Sequence, residues 1–207
     1  MDSSLKSELN FDALSPYQER RFVPQNADLT KLDQIRPLYS NLLERSVVTE
    51  DGLERWVLDR SELESVIDQQ GSILYILMTC QTDDQQRAKR YTDYIESVIP
   101  PVKSLNDRLN KKYLEHLAKV ATETTRYETY NREIRADIEL FVDANIALET
   151  KVELLSQEYQ SICGAMTVKF DGEERTLPQM HKFLLEVDRG LREKAWRASS
   201  QRRLQDR

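Results

Sequence analysis

Residues 148–177, LETKVELLSQEYQSICGAMTVKFDGEERTL, contain the clearest change of hydropathy pattern in the chain. In the first half of this stretch, apolar residues recur at spacings of three and four, which predicts an amphipathic helix. The apolar stripe consists of Leu148, Val152, Leu155, Tyr159 and Ile162. Such a stripe normally faces a core, so we expect these five side chains to be buried.

The pattern changes at Gly164, which is expected to stop the helix. Over residues 165–170, Ala165, Thr167 and Lys169 alternate with three apolar side chains. The apolar set is Met166, Val168 and Phe170. A period of two is typical of a half-buried strand, so we predict a strand here.

A tight turn and a short return strand follow. Asp171 and Gly172 both tolerate positive φ, as a two-residue hairpin turn requires. The returning segment, 173–177, is short because Pro178 cannot donate to a strand ladder, although it suits the first turn of a helix. The stretch therefore predicts a helix, a glycine stop, a β-hairpin and another helix.

The rest of the chain is predicted to be helical. Among 207 residues, 39% are hydrophobic and 32% charged, whereas only 5 Gly and 6 Pro are available for turns. This balance favours long helices over many short strands. The predicted fold is mainly α, a multi-helix array with one small β-hairpin near residues 165–177. Residues 1–30 form an extended polar lead-in, and residues 31–207 form the helical region.

Caps, breakers and apolar periodicity divide this region into helices. Pro37 is expected either to kink the first helix or to delay its start to near Arg36. Gly71 is expected to end the second helix, after which Ser72 caps a short third one. That third segment, 73–78, is apolar enough to be a buried strand, but we predict a helix. The predicted helices span 31–45, 49–68, 72–80, 82–99, 102–119, 122–145, 145–164, 177–187 and 188–205.

Several stretches resemble one enzyme family. SQEYQSICGAMTVKFDGEERTLPQM (156–180) and DRGLREKAW (188–196) are similar to the oligoendopeptidase F group of thimet-type zinc metallopeptidases. The similarity continues upstream, in the same order, from about Asp33. The upstream segments are IRPLYSNLLER, LERWVLDRSELESVID and MTCQTDDQQRAKRYTDYIESVIPPVK. The resemblance implies the amino-terminal part of a peptidase whose helices form one wall of a deep cleft that admits short, unstructured peptides.

The zinc chemistry of that family has no counterpart in these residues. It requires two histidines one helical turn apart, with a glutamate after the first as general base and a further carboxylate ligand. The chain has two histidines, His116 and His181, and neither begins an HExxH motif. We therefore predict no catalytic, cofactor-binding or metal-binding residue. Zinc is implied only for the complete family enzyme, and this chain alone is expected to be inactive as a peptidase.

Other chemistries also lack support in the sequence. No GxxxxGK[ST], GxGxxG or GxSxG motif occurs. Cys80 and Cys163 are interpreted as buried or partly buried free thiols. His116 lies near the carboxyl end of a predicted helix, where the dipole favours an imidazolium. The acidic pairs at 50–51 and 83–84 are typical of helix starts, where acids complement the helix dipole. The basic residues after Asp188 are expected on the solvent-exposed face of a terminal helix, whose buried side is expected to hold Leu191, Ala195 and Trp196.

Charge and hydropathy exclude some partners. The net charge of −6 argues against nucleic-acid binding. No apolar run approaches the ~20 residues that span a bilayer. The first residues have neither the basic nor the apolar region of a secretory signal, and two cysteines give no disulfide framework. We therefore expect a cytoplasmic protein without nucleic-acid or membrane partners.

Two hypotheses of function remain open. In the first, the chain is the amino-terminal cleft wall of a zinc oligopeptidase, with short peptides and the catalytic portion of the same enzyme as partners. Residues 201–207, QRRLQDR, contain no helix stop, so the last helix is expected to continue. Exposed apolar surface and self-association are then expected for the isolated chain. In the second, the chain is a free-standing, non-catalytic helical module that binds a peptide or a protein.

Overall fold

The computed structural model describes residues 19–81, 84–120 and 127–205, and in these ranges the fold is helical with one hairpin. The predicted fold class is confirmed. The elements in chain order are α1 Leu32–Glu44, α2 Glu50–Cys80, α3 Gln85–Ser97, α4 Ile99–Lys119, α5 Glu128–Leu140, α6 Asp143–Ala165, β1 Thr167–Phe170, β2 Glu173–Thr176, α7 Leu177–Leu184 and α8 Arg189–Gln205.

The segment before α1 is held against α2 by one carboxylate. Most of the predicted lead-in, residues 1–18, lies outside the described residues. Further on, the backbone N–H of Val23 donates to Oε1 of Glu62 over 2.8 Å, and the N–H groups of Arg21 and Phe22 donate to the same side chain. Burial alone raises the pKa of Glu62, but these three hydrogen bonds outweigh it and hold the pKa below its usual value. The carboxylate therefore anchors the approach to α1.

Helix α1 begins at Leu32 and contains Pro37, so the alternative of a delayed start near Arg36 is wrong. The N–H groups of the first turn of a helix have no intrahelical acceptor. Pro37 lies beyond that turn, so it removes one backbone hydrogen bond from α1. The indole Nε1–H of Trp56, on α2, donates to the carbonyl of Leu42 over 2.9 Å. This bond fixes α1 against α2 within the core.

Helix α2 runs unbroken through Gly71, so the predicted break there, with a new helix capped by Ser72, is wrong. The glycine serves packing instead. A β-carbon at position 71 would lie 3.0 Å from Cε1 of Tyr94, on α3. The sequence cannot distinguish a glycine that ends a helix from one that admits a neighbouring ring. Residues 73–78 are helical, as predicted.

Prolines and caps shape the next helices. Asp84 caps α3 by accepting hydrogen bonds from the N–H groups of Gln86 and Arg87, as the sequence predicts; Thr82 and Asp83 lie outside the described residues. Helix α4 begins at Ile99 and accommodates the Pro100–Pro101 pair in its first turn. The predicted helix at 122–145 ends earlier than expected, because an extended break at Phe141 and Val142 separates α5 from α6. Residues 122–126 lie outside the described residues.

The main core lies among α1, α2, α3 and α4, with α5 closing one side. In addition to Trp56, its largest fully buried side chains include one aromatic residue from α1 and one from α4. These are Tyr39 and Tyr113. The tyrosine hydroxyls reach polar partners: Tyr39 donates to Asn106 over 2.5 Å and Tyr113 to Asn131 over 2.6 Å. The hydroxyls of these two buried tyrosines are therefore satisfied within the core.

The hairpin matches its prediction closely. Phe170 pairs with Glu173, so the turn has two residues, and Asp171 and Gly172 have φ of 54° and 77°. Helix α6 extends one residue beyond Gly164 before β1 begins. Thr176 and Gln179 then form a capping box at the start of α7. The hairpin, α7 and α8 share a small second core of Met166, Val168, Leu177, Met180, Phe183 and Ala195.

The predicted buried faces of two helices, α6 and α8, are wrong. The stripe of α6 that was expected to face a core is exposed along its whole length, and Trp196, expected on the buried side of α8, is also exposed. On α8, Ala195 is fully buried because the small residue meets the hairpin core. Within the described ranges, no helix combines the length and apolar content needed to cross a bilayer.

Candidate functional site

Helix α6 packs against the bundle through its polar face. The hydroxyl of Tyr91, on α3, donates to Oε1 of Glu153 over 2.6 Å, and the hydroxyl of Thr92 lies 3.0 Å from Oε1 of Gln157. Glu149 forms an ion pair with Lys103, on α4. These long polar side chains bond to partners on α3 and α4, so the opposite face of α6 lies toward solvent.

That opposite face is the α6 seam, which we define as the five residues of the predicted stripe. Their exposed fractions are 63% for Leu148, 62% for Val152, 54% for Leu155, 68% for Tyr159 and 41% for Ile162. A single exposed apolar side chain is ordinary on a protein surface, but a contiguous row is typical of an interaction site. The α6 seam is therefore the candidate functional site.

The spacing along the seam is regular. Successive members are four, three, four and three residues apart, which is the alternation of a heptad repeat. A period of 3.5 residues keeps a seam in line with a neighbouring helix, whereas the 3.6 residues of a straight helix drift away from it. The spacing of the seam therefore matches that of the apolar seam in paired helices.

Two grooves flank the seam. The larger, of about 520 Å³, lies where α6 meets the junction of α3 and α4, with Leu148 and Val152 on one wall and Ile95 and Ile99 on the other. We call it the junction groove. Its polar lining includes Lys103, Asn145, Glu149 and Glu153. An apolar floor with a few polar groups at its edge is the usual composition of a ligand groove.

The second groove, of about 380 Å³, lies near the carboxyl end of α6 and the end of α2. Tyr75 and Met78 line it from α2, and Tyr159 and Cys163 from α6. The Cys163 thiol is half-buried, as predicted, but Cys80 is exposed, in disagreement with its predicted burial. Cys80 is the last residue of α2, where the helix leaves the core, so its side chain has no surface to cover it.

His116 is a core residue. Its ring is fully buried, 5.4 Å from the Trp56 ring in an edge-on arrangement, and neither nitrogen has a hydrogen-bond partner among the described residues. Burial, with smaller contributions from Lys112 and Lys119, lowers the pKa of His116. The expectation that the helix dipole favours an imidazolium is therefore wrong, because desolvation of the charge outweighs the dipole.

The two histidines do not fit the zinc site that the resemblance implies. His116 is fully buried against the Trp56 ring, and His181 is exposed on α7, a different helix. Among the described residues, no group of three or more His, Cys, Asp or Glu side chains could hold a metal ion. A zinc ligand must reach the ion together with several others, and nothing in the described ranges provides that.

One buried polar cluster was not identified from the sequence. Arg60, on α2, is almost fully buried; its Nη2 donates to Oδ1 of Asn110 over 2.6 Å, and its Nε to Glu64 over 2.8 Å. The guanidinium also lies over the Trp56 ring. Such a cluster specifies how α2 and α4 pack, and its members are spread over distant positions in the chain.

A family model described as the Peptidase M3 N-terminal domain matches residues 22–141. This range covers α1 to α5 and ends just before α6. Neither a curated protein nor a solved structure matches the chain significantly.

Proposed function

Because this chain belongs to the family of peptidase M3 N-terminal domains, we propose that it supplies the amino-terminal wall of the peptide-binding cleft in an oligoendopeptidase F-like zinc metallopeptidase. In this proposal the chain binds and selects short peptides. Hydrolysis requires zinc held by an HExxH motif, which none of the 207 residues provides. The family match is the observation that carries the proposal.

The junction groove is the best-suited peptide site on this wall. Its apolar sides come from Ile95, Ile99, Leu148 and Val152, which suits apolar side chains of a ligand. Asn145 and Lys103 at its edge offer an amide and an ammonium to a peptide backbone or a carboxylate. An unstructured peptide can adapt to such a groove, whereas a folded protein cannot enter it.

The test measures binding and cleavage separately. A dye-labelled, unstructured peptide of mixed sequence is titrated with the full chain and followed by fluorescence anisotropy, and an internally quenched peptide reports cleavage with added Zn²⁺. We expect binding without cleavage. Leu148→Glu should weaken binding about ten-fold, whereas Val187→Glu, at an exposed position on the link between α7 and α8, should leave it unchanged.

Two outcomes would contradict the proposal. Zinc-dependent cleavage by the purified chain would show that the catalytic chemistry is present after all. Equal peptide affinity for the parent chain and Leu148→Glu would remove the junction groove from peptide binding.

A second function is favoured by the exposed α6 seam. A regular apolar row with no catalytic group beside it is what a non-catalytic module for binding helical proteins presents. Retention of a helical partner by the parent chain but not by Leu155→Glu, together with absence of peptide binding, would favour this second function over the first.

A further inference from the structure

We propose that the α6 seam pairs with the α6 seam of a second copy of this chain, in an antiparallel arrangement about a two-fold axis. The inference goes beyond peptide binding, because it concerns how the chain assembles. It rests on the exposure of the seam, on its spacing and on the charges beside it.

The seam offers a complete set of interlocking positions. Its five members occupy the two core positions of consecutive heptads, where a side chain inserts between residues of the facing helix. When Val152 of one copy lies beside Leu155 of the other, Leu148 lies beside Tyr159. Each end of the seam then faces the opposite end of its symmetry mate, so every member except Ile162 lies against a seam residue.

The charges beside the seam distinguish this arrangement from a parallel one. Lys151 and Glu158 are one heptad apart, so both occupy the same flanking position. Both are exposed, and neither forms an ion pair with another described residue. In the antiparallel register, Lys151 of one copy lies beside Glu158 of the other, and symmetry repeats the pair.

A parallel pairing has no such complementarity. There, Lys151 would face Ser156 of the second copy, and Glu158 would face Cys163. Flanking charges set partner choice and orientation in helical pairs, so the antiparallel arrangement is the one that this sequence favours.

The remaining flanking carboxylate does not oppose the pairing. In the antiparallel register Glu149 faces Ser156 of the second copy, and its charge is already paired with Lys103 of its own chain. The pairing therefore brings no two like charges together at these flanking positions.

The experiment is sedimentation equilibrium of the full chain at micromolar concentrations, in reductant because Cys80 is exposed. We expect a monomer–dimer equilibrium. Leu155→Glu should abolish the dimer and Val187→Glu should retain it, with circular dichroism showing equal helix content in both variants. A chain that stays monomeric throughout, or a dimer that survives Leu155→Glu, would overturn the proposal.

Charge reversal tests the orientation. Lys151→Glu and Glu158→Lys each place like charges across the interface twice, and each should raise the dimer dissociation constant roughly ten-fold or more. The double variant Lys151→Glu/Glu158→Lys should restore the parent value. Failure of the double variant to restore it would exclude antiparallel pairing.

These charge variants leave the residues that line the junction groove untouched. A loss of dimer with unchanged peptide binding, or the reverse, would therefore separate the assembly from the proposed peptide site.

Discussion

The hydroxyl of Tyr91 donates a 2.6 Å hydrogen bond to Oε1 of Glu153, and this bond turns the polar face of α6 toward the bundle. The tyrosine ring is buried in the main core. The Glu153 carboxylate accepts this bond on the side of α6 that faces the bundle, where apolar side chains are usual. As a consequence, the apolar stripe of the same helix lies in solvent.

Replacement of Tyr91 by Phe should lower the free energy of unfolding by about 1 to 2 kcal/mol, because a hydrogen bond to a charged acceptor is lost while the ring is kept. Urea denaturation measures the change. Tyr75→Phe is the matched control, since the Tyr75 hydroxyl has no hydrogen-bond partner among the described residues, and it should change stability little. Equal effects of the two replacements would contradict the assigned role of the bond.

Replacement of Gly71 by Ala should destabilise the chain, although alanine is favoured over glycine inside a helix by about 1 kcal/mol. The new methyl group would lie 3.0 Å from Cε1 of Tyr94. That ring cannot easily retreat, because it is buried and its hydroxyl donates to the carbonyl of Ile67 over 3.1 Å.

A double-mutant cycle tests this cause. In a Tyr94→Leu background, where the ring is absent, Gly71→Ala should become neutral or stabilising. A stabilising effect in the parent chain, measured by urea denaturation, would show that packing against Tyr94 is not the reason for the glycine.

The chain should lose stability as the pH falls below about 6.5, in part because of His116. Burial lowers the pKa of this residue, so the unfolded chain takes up a proton at a pH where the folded chain does not. The contribution of His116 to the free energy of unfolding is fully present above the ordinary histidine pKa. It is lost as the pH falls through the lowered pKa of the folded chain.

His116→Phe should reduce this pH dependence, because phenylalanine keeps a planar ring against Trp56 but cannot be protonated. The measurement is the free energy of unfolding in urea from about pH 7.5 to about pH 5.5. His181→Phe, at an exposed position, is the control. An unchanged slope in His116→Phe would assign the acid sensitivity to other groups.

Glu62→Gln should destabilise the chain by about 1 to 2 kcal/mol at neutral pH, because three backbone N–H groups lose a charged acceptor. The pKa of Glu62 is lowered, so its contribution is present above the ordinary glutamate pKa and is lost as the pH falls through the folded value. The difference between parent and variant should therefore shrink in acid. Glu96→Gln, at an exposed position, should show neither effect.

Local sequence patterns predicted much of the fold. The two-residue turn at Asp171 and Gly172, the helix start at the acidic pair that includes Asp84, and the helix that starts around Pro178 were all predicted from nearby residues. In each case the deciding interaction spans only a few residues, either a backbone angle or a side chain bonded to the next turn. Such interactions are visible in the sequence.

The candidate site was predicted only in part. The seam of α6 was recognised as an apolar stripe, but periodicity cannot tell whether a stripe faces its own core or another molecule. The partners that decided the matter, Tyr91 for Glu153 and Thr92 for Gln157, are more than sixty residues away in the chain. The second groove combines the end of α2 with the end of α6, which are also far apart in the chain.

Neighbouring residues were enough to predict that this chain is helical, that one hairpin interrupts the helices, and that it has no HExxH motif. Packing between distant segments set which face of α6 is buried, made Gly71 the position that admits a tyrosine ring rather than the end of a helix, and placed His116 in the core. These three features depend on side chains brought together from distant positions, where the balance of polar pairing, close packing and desolvation is decided by contact and not by order along the chain.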